Sequence, residues 1–364
     1  MVGNYPADRL QSMDRYADLL VRLYRPQGQV RVIRPPVIFP RLPGLPPLAR
    51  KYLAYIDKLL LFPLWLMLRA RAFDLVHIAD HGNAFYSFCC PRQRCLVTCH
   101  DLLAVRAARG DRDAACSASA FGPWLQSLIM AGLHHSGRLL FVSQATCSDY
   151  QRLGGGPSGQ HLAVIPNPLN ASFSPDGSRL AVTPAERDQI PEPPFLLMVG
   201  SALPRKNRDL ALRLIEQLGA PSPYRLVFAG APLTAAEERF QLSHPLGDRL
   251  ISIVRPSHPL LNLLYCRAHA LLFPSLAEGF GWPLIEAQAS DCPVIASTTT
   301  AIPEVAGSGA LYAPAHDSAA FAVHVEALND PGVRNQLIQD GRANLPRFSL
   351  ERISTAYIQF AFPT

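Results

Sequence analysis

Short, uniformly apolar runs alternate with helical patterns through the C-terminal half of the chain, and this alternation most limits the fold. Six such runs lie within residues 195–312, separated by stretches that suit helices or loops. Because the runs are apolar at every position, helices must cover both faces of their sheet. The pattern predicts a parallel, doubly wound α/β domain. Its predicted strands are 195–200, 225–230, 250–254, 268–273, 293–297 and 310–312.

The N-terminal half repeats the alternation more loosely. A first strand should precede its first helix and is normally central in such a sheet, yet only Met1 and Val2 are available for it. We therefore expect either that the chain as given begins late or that a truncated first strand is tolerated. The predicted strands are 30–33, 74–78, 95–98, 139–142 and 163–165. The predicted helices are 8–24, 49–71 and 121–135.

Length and composition predict where the chain divides. A chain of 364 residues suits two domains, each with its own core. Residues 171–194 mix Pro, Ser and Gly, as interdomain connections do. We expect an N-terminal domain at 1–180, a second domain at 190–346 and a final helix at 347–364.

Charge is distributed unevenly along the chain. The formal net charge is +6, but residues 1–100 hold 14 basic and 6 acidic residues. All ten glutamates lie from Glu186 onwards. A mechanism that needs a glutamate must therefore draw it from the C-terminal half.

The longest apolar run, at 59–68, is too short for the ~20 residues that span a bilayer, and basic side chains flank it. The helix predicted at 49–71 is either a peripheral contact with an anionic membrane or a core helix with solvated ends. The N-terminus has no signal-peptide pattern, and the cysteines form no Cys-x-x-Cys pair. We expect a cytoplasmic protein, on the inner face of the membrane if the first interpretation holds. We expect reduced thiols, no metal and no nucleic-acid partner.

The most informative segment is the glycine loop after the fourth predicted strand of the C-terminal half. Gly279 and Gly281 let a ligand approach the backbone, and a helix expected to begin at Pro283 offers N–H groups to a diphosphate. Glu286, expected in the first turn, suits a ribose diol. Glu278 follows the strand, where ligands of open α/β sheets bind, and suits sugar hydroxyls or a developing positive charge. The alternative is a pair of surface glutamates, with Glu286 merely complementing the helix dipole.

Polar residues also follow other predicted strands. Arg205 and Lys206 come after the strand at 195–200 and suit a diphosphate; alone, they would indicate an exposed basic turn. His100 follows the strand at 95–98, where a lone histidine is more often structural than a ligand. Asn167 is ambiguous in the same way.

The pair Glu278-x7-Glu286, within Glu-Gly-Phe-Gly-Trp-Pro-Leu-Ile-Glu-Ala, resembles the Glu-x7-Glu motif of retaining glycosyltransferases of family 4. Residues 204–207 and 302–307 are similar to that family as well, and the resemblance is most specific across 195–320. It implies a GT-B fold, in which two Rossmann-like domains face a cleft and a C-terminal helix crosses back onto the first. It also implies a nucleotide-diphosphate sugar as co-substrate, with no catalytic metal and no other cofactor.

The resemblance implies roles for residues of the donor site. Arg205 and Lys206 would neutralise the donor diphosphate, Glu286 would bind the ribose, and Glu278 would hold the sugar. Ser201 stands where many relatives have an arginine, so Arg205 must supply the guanidinium. The implied donor-binding positions are Gly200, Ser201, Asn207, Gly279, Phe280, Gly281 and Glu286.

The resemblance implies a second set of residues in the first domain. His100 would reach the donor sugar, and the loop at Gly3 would lie near the phosphate and the acceptor. The candidate acceptor or phosphate residues are Gly3, Asn4, Asp101 and Asn167.

The missing glutamates also bear on the mechanism that the resemblance implies. A covalent intermediate needs a nucleophile on the face of the sugar toward the first domain, which has no Glu. Only aspartates such as Asp80 or Asp101 remain there. We therefore favour front-face substitution, in which the diphosphate oxygen accepts the acceptor's proton and the protein supplies electrostatics.

We expect a retaining, metal-independent hexosyltransferase of cell-envelope or exopolysaccharide biosynthesis. It would move a hexose such as mannose or glucose to a lipid-linked or polysaccharide acceptor. The alternatives are a GT-B nucleotide-sugar epimerase and an inactive scaffold of polysaccharide assembly.

Overall fold

The computed structural model describes residues 1–8, 11–44, 46–115, 122–156, 159–176 and 181–363. The chain forms two compact units. The first comprises Met1–Asp111, Ser117–Asn170 and Glu351–Thr364; the second comprises Arg112–Cys116 and Ala171–Leu350. Residues 9, 10 and 121 of the predicted helices lie outside the described residues.

The first unit is built on a parallel sheet whose strands follow chain order. Four of the five strands predicted for this half are present, shifted by one or two residues at their ends. They are β1 (Val76–Ile78), β2 (Cys95–Cys99), β3 (Arg138–Phe141) and β4 (His161–Val164).

The start of the chain occupies the position of the first strand. Val2 forms parallel bridges to Ile33 on one side and to Ile78 on the other. Its N–H donates to the carbonyl of His77 at 2.8 Å, and the N–H of Gly3 donates to the carbonyl of Ile33 at 2.9 Å. The predicted strand at 30–33 is wrong in extent, because among the described residues only Ile33 pairs. With these bridges the sheet follows a 2-1-3-4-5-6 order, whose reversal lies between Val2 and β1.

Helices flank this sheet, and most follow the predicted pattern. The segment predicted as one helix at 49–71 contains two α-helices joined by a π turn, Asp57–Leu61. The helices are α1 (Gln11–Tyr24), α2 (Pro47–Ile56), α3 (Phe62–Arg69), α4 (Leu103–Ala108), α5 (Gly122–His135) and α6 (Gln144–Arg152).

A buried chain of hydrogen bonds connects four elements of the first unit. The Tyr24 hydroxyl contacts His77 Nδ1 at 2.9 Å, and His77 Nε2 contacts the Thr98 hydroxyl at 2.8 Å. The Tyr16 hydroxyl lies 2.9 Å from Thr98 Oγ1 and 2.6 Å from the hydroxyl of Tyr357. Tyr357 lies on the C-terminal helix, so that helix packs on the first unit, as the fold class requires.

The second unit contains all six strands predicted for the C-terminal half. Their order across the parallel sheet is β10-β9-β8-β5-β6-β7, the arrangement of a doubly wound domain. The strands are β5 (Phe195–Gly200), β6 (Arg225–Gly230), β7 (Leu250–Val254), β8 (Ala270–Phe273), β9 (Val294–Ser297) and β10 (Leu311–Ala313). The order reverses between β5 and β8, so the binding crevice of this topology lies beyond Gly200 and Phe273.

The helices of the second unit bury an apolar core against both sheet faces. Leu210 and Leu214 of α8 pack with Phe228 of β6 and Leu272 of β8, all fully buried. The helices are α7 (Pro184–Arg187), α8 (Arg208–Leu218), α9 (Ala235–Ser243), α10 (His258–Arg267), α11 (Trp282–Ala289), α12 (Ile302–Ala306), α13 (Ser318–Ala327) and α14 (Pro331–Asn344). The last helix, α15 (Leu350–Ala361), is the C-terminal helix that packs on the first unit. Within the described ranges, no helix is long and apolar enough to span a membrane.

The helix after the glycine loop begins one residue earlier than predicted. It starts at Trp282, with Pro283 in its first turn, because Gly281 adopts φ +100 and caps it. Glu286 is consequently the fifth helical residue, and its predicted place in the first turn is wrong.

Candidate active site

Two loops at the reversal point of the second unit bring three charged side chains together. Arg205 Nη1 donates to Glu278 Oε2 at 2.7 Å, and Lys206 Nζ donates to Glu278 Oε1 at 2.6 Å. Arg205 and Lys206 follow β5, and Glu278 follows β8, so each charge lies at a carboxyl end that the topology places beside the other. One carboxylate therefore bridges two cations at the crevice.

Burial contradicts the two simpler interpretations of these residues, a pair of surface glutamates and an exposed basic turn. Glu278 is 7% exposed and Glu286 is 5% exposed, so neither is a surface glutamate. The side chains of Arg205 and Lys206 are 20% and 12% exposed, which excludes a freely solvated basic turn.

The cluster shifts the pKa values of its members. Burial alone would raise the pKa of Glu278, but Lys206 and Arg205 outweigh it and hold that pKa below the usual range. Burial lowers the pKa of Lys206, and the Glu278 carboxylate only partly offsets this. A dianionic ligand beside Lys206 would favour its charged form and raise its pKa.

The backbone around the cluster needs unusual conformations. Gly200 ends β5 with φ +125, and Lys206 Cε lies 3.7 Å from where a Cβ would be. Asn207 has φ +56 and its amide donates to the carbonyls of Pro274 at 3.0 Å and Ala315 at 2.6 Å. The predicted donor-site residue Asn207 thus connects the loops after β5, β8 and β10.

The other predicted donor residues line the same edge. Ser201 is half-buried directly after β5, while Gly279 and Phe280 are buried in the loop after β8. Glu286 lies on α11, and its carboxylate accepts a hydrogen bond at 2.9 Å from the hydroxyl of Tyr265 on α10. A ribose at Glu286 would therefore meet a carboxylate already oriented by a buried tyrosine.

A second buried ion pair supports this edge, and the sequence interpretation missed it. Arg208 Nη1 lies 3.2 Å from Glu237 Oε2, and both residues are buried. Arg208 Nη2 also donates to the carbonyls of Gly200 and Ala231, each at 3.3 Å. Thr234-x-x-Glu237 signals a capping box, which is present, but no sequence signal pairs position 237 with position 208.

In the first unit, the reversal point also gathers polar side chains. The Asn4 amide donates to Asp80 Oδ2 at 2.6 Å, and the Gly82 N–H donates to Asp80 Oδ1 at 2.9 Å. His81 Nδ1 lies 3.4 Å from Asp80 Oδ1, and His81 Nε2 lies 3.9 Å from Asp101 Oδ1. Burial alone would raise the pKa of Asp80, but its histidine neighbours and hydrogen bonds lower it.

His100, predicted to reach the sugar, is 8% exposed at the end of β2. Its Nε2 lies 2.9 Å from the carbonyl oxygen of Ala79 and must donate to it, so in the neutral ring Nδ1 is the acceptor. Burial lowers the pKa of His100, and Asp80 only partly offsets this. The residue is structurally anchored and still offers one ring nitrogen.

The remaining predicted first-unit residues differ in setting. Gly3 lies under the side chain of Arg34, whose Nε is 3.1 Å from where a Cβ of Gly3 would be. Asp101 is partly exposed and accepts the N–H of Leu103 at 3.2 Å. Asn167 is 1% exposed, and its Oδ1 has no hydrogen-bond partner among the described residues. Within that part of the chain, no group of three or more His, Cys, Asp or Glu side chains is arranged to hold a metal ion.

Comparisons with known proteins agree with this architecture. The family model described as Glycosyl transferases group 1 matches residues 183–344, and the model described as Glycosyltransferase Family 4 matches residues 11–173. Among solved structures, sucrose-phosphate synthase from Thermosynechococcus elongatus is 22% identical with a TM-score of 0.67, covering 92% of this chain and 82% of that chain. HepE of Anabaena in complex with UDP and glucose is 14% identical with a TM-score of 0.67, covering 95% of this chain and 89% of that chain.

The curated relatives match a smaller part of this chain than the solved structures do. O-antigen chain mannosyltransferase B of Escherichia coli is 25% identical over 65% of this chain and 63% of its own length. D-inositol 3-phosphate glycosyltransferase of Acidothermus cellulolyticus is 33% identical over 42% of this chain and 37% of its own length. The chain therefore matches less than two thirds of either relative. The two family models together match most of this chain, which has a GT-B fold and belongs to the group 1 glycosyltransferases of family 4.

Proposed function

We propose that this protein is a retaining hexosyltransferase that moves a hexose such as mannose or glucose from a nucleotide-diphosphate sugar to a lipid-linked or polysaccharide acceptor. The observation that supports it best is the bridge from Glu278 to Arg205 and Lys206 at the reversal point of the second unit. Two cations there suit a diphosphate leaving group, whose developing charge they would stabilise. The mannosyltransferase relative and the UDP complex of HepE are in keeping with such a donor.

The proposed mechanism is front-face substitution without a protein nucleophile. Asp80 is 8% exposed, and both of its carboxylate oxygens already accept hydrogen bonds, from Asn4 and Gly82. Such a carboxylate is poorly suited to attack an anomeric carbon. The donor diphosphate would instead accept the acceptor's proton while Arg205 and Lys206 hold the leaving group.

A panel of nucleotide sugars tests the proposal. We expect release of the nucleoside diphosphate from at least one donor, and an acceptor-derived product in which the anomeric configuration is retained. Epimerisation without any acceptor would instead indicate a nucleotide-sugar epimerase. If none of the nucleotides binds, the protein is an inactive scaffold. A glycosyl adduct trapped on Asp80 or Asp101 would exclude front-face substitution.

The reaction is proposed to need no metal ion. Adding a chelator to the donor assay should leave nucleoside diphosphate release unchanged, since the cations at the site are the side chains of Arg205 and Lys206. Loss of activity that a divalent ion restores would contradict this.

The site of action is proposed to be the inner face of the membrane, which the protein would contact peripherally through residues 49–71. The basic excess of the first hundred residues supports an anionic surface as the partner.

A further inference from the structure

Three residues near the start of the second unit lie against helix α10. The main part of this unit begins at Ala171, and we call Ser172, Phe173 and Ser174 the connecting segment. Asn262 Oδ1 accepts the Ser174 N–H at 2.9 Å, and Asn262 Nδ2 donates to the Ser174 carbonyl at 3.0 Å. One side chain of α10 thus satisfies both main-chain polar groups of Ser174.

The other two residues of the connecting segment contact the same face of α10. His258 Nε2 donates to the Ser172 carbonyl at 2.8 Å. The Phe173 ring packs edge-to-face with the rings of His258 and Tyr265, with ring centres 4.6 Å and 5.8 Å apart. Positions 258, 262 and 265 are spaced by four and three residues, so they lie on one face of the helix. This face holds the whole connecting segment.

The same helix face contacts the carboxylate of Glu286. The Tyr265 hydroxyl donates to Glu286 Oε2, and Tyr265 is fully buried. Burial first, and the Glu286 charge next, raise the pKa of Tyr265 well above its usual range, so the hydroxyl keeps its proton and remains the donor. An ionised carboxylate accepts hydrogen bonds at about four positions, so this bond is compatible with a ribose diol at the same group. The first route from the connecting segment to Glu286 therefore runs from Phe173 through Tyr265.

A second route reaches the main chain of Glu286. The Ser290 hydroxyl lies 3.3 Å from Asn262 Oδ1, which accepts from Ser174, and 2.9 Å from the Glu286 carbonyl oxygen. Asn262 and Ser290 are 0% and 1% exposed, so these contacts are shielded from water. Ser290 comes directly after α11, the helix that contains Glu286. The connecting segment is therefore joined to both the side chain and the main chain of Glu286.

We infer that the connecting segment is coupled to the ribose subsite, with Phe173 and Asn262 as positioning residues for Glu286. They act through Tyr265 and Ser290. The inference rests on the proposed function, in which Glu286 binds the donor ribose, and it adds two residues from outside the Glu-x7-Glu pair. Ribose binding should tighten the contacts of α10 with the connecting segment. Linkage then requires that these contacts improve ribose binding by the same factor.

Calorimetric titration of the full chain tests the coupling at the ribose. The ligands are UDP and GDP, their 2′-deoxy counterparts, and inorganic pyrophosphate, which has no ribose. Wild type should prefer at least one ribonucleotide over its 2′-deoxy counterpart by roughly tenfold, the effect of one hydrogen bond to a charged group. Phe173→Leu interrupts the first route and Ser290→Ala the second, so each should lower this preference severalfold. Pyrophosphate affinity should stay as in wild type, because pyrophosphate would contact Arg205 and Lys206 rather than Glu286.

Two matched control variants separate this coupling from loss of packing. Phe240→Leu removes the ring of another half-buried phenylalanine that contacts a histidine, His244, next to α9. Tyr224→Phe removes another buried hydroxyl of the second unit, which donates to Asn329 near the amino end of β6. Both controls should keep the wild-type preference for the ribonucleotide. Thermal melting shows whether each variant is folded.

Hydrogen exchange of the Ser174 amide tests the coupling at the connecting segment. This N–H donates to Asn262 Oδ1, so its exchange rate reports how tightly α10 holds the segment. Saturating wild type with the ribonucleotide that binds should slow this exchange severalfold more than saturation with pyrophosphate does. Ser290→Ala should reduce the difference.

A ribonucleotide preference that Phe173→Leu and Ser290→Ala both leave intact would overturn the inference. Equal slowing of the Ser174 amide by nucleotide and pyrophosphate would also overturn it. So would a parallel loss of pyrophosphate and nucleotide affinity in these variants, because the whole site would then be disturbed. These three outcomes leave the proposed function standing. Wild type that binds no nucleotide, or binds the 2′-deoxy forms equally well, would instead contradict the proposed donor site and the inference with it.

Discussion

Glu278 shows how much depends on pairing between residues far apart in the chain. In the structure its two oxygens accept from Arg205 and Lys206, which lie more than seventy positions earlier. The sequence identified all three residues as donor-site candidates, because each follows a predicted strand. It could not show that they bond one another, since spacing along the chain does not report distance across a sheet.

Replacing Glu278 with Gln should separate binding from turnover. Removing one negative charge beside two cations strengthens their attraction for a dianion, so affinity for the nucleoside diphosphate should rise severalfold. Transfer should fall, because the carboxylate proposed to hold the sugar is gone. Calorimetric titration with UDP and GDP measures the first effect, and product formation measures the second. Unchanged affinity together with full transfer would exclude both roles.

At the scale of elements, the uniform apolar runs predicted ten of the eleven proposed strands within one or two residues. The eleventh, at 30–33, is reduced to a bridge between Ile33 and Val2. The π turn at Asp57–Leu61 was not predicted, because its wider winding depends on the buried contacts of Asp57.

The Arg208–Glu237 pair gives a prediction at this scale. Arg208→Met leaves a buried carboxylate unpaired and should lower the free energy of unfolding by about 3–5 kcal/mol. Adding Glu237→Gln should restore part of this, because it removes the orphaned charge while its amide oxygen can still accept the N–H of Thr234. Urea unfolding measures both variants. A double variant less stable than Arg208→Met would show that the charge was not the source of the cost.

The buried chain through His77 predicts an acid sensitivity. Burial lowers the pKa of His77 to about 3. When the pH falls below the ordinary pKa of histidine, the unfolded chain therefore binds a proton at His77 that the folded state does not bind. Stability should therefore fall as the pH decreases from neutrality toward 3. Between about pH 7 and about pH 5, His77 should account for about 2 kcal/mol of the loss. His77→Gln should flatten the dependence by that amount in urea titrations; an unchanged slope would contradict the assignment.

At the scale of the whole molecule, the uneven charge corresponds to two units with different chemistry. The glutamates proposed for donor binding lie in the second unit, and the exposed basic and apolar helix lies in the first. Sequence alone predicted the fold class and both groups of candidate residues. It did not predict that Leu60, Leu64 and Leu68 are exposed, since the apolar run at 59–68 would also suit a core helix.

The donor turnover of Lys206→Ala tests the central claim most directly. Lys206, whose side chain is 12% exposed, is the cation that with Arg205 would neutralise the departing diphosphate, so the variant should release nucleoside diphosphate slower by roughly a hundredfold or more. The exposed Arg239, on α9 of the same unit, provides the control, and Arg239→Ala should turn over as wild type does. Wild-type turnover by a folded Lys206→Ala would contradict the assignment of this cluster as the donor diphosphate site.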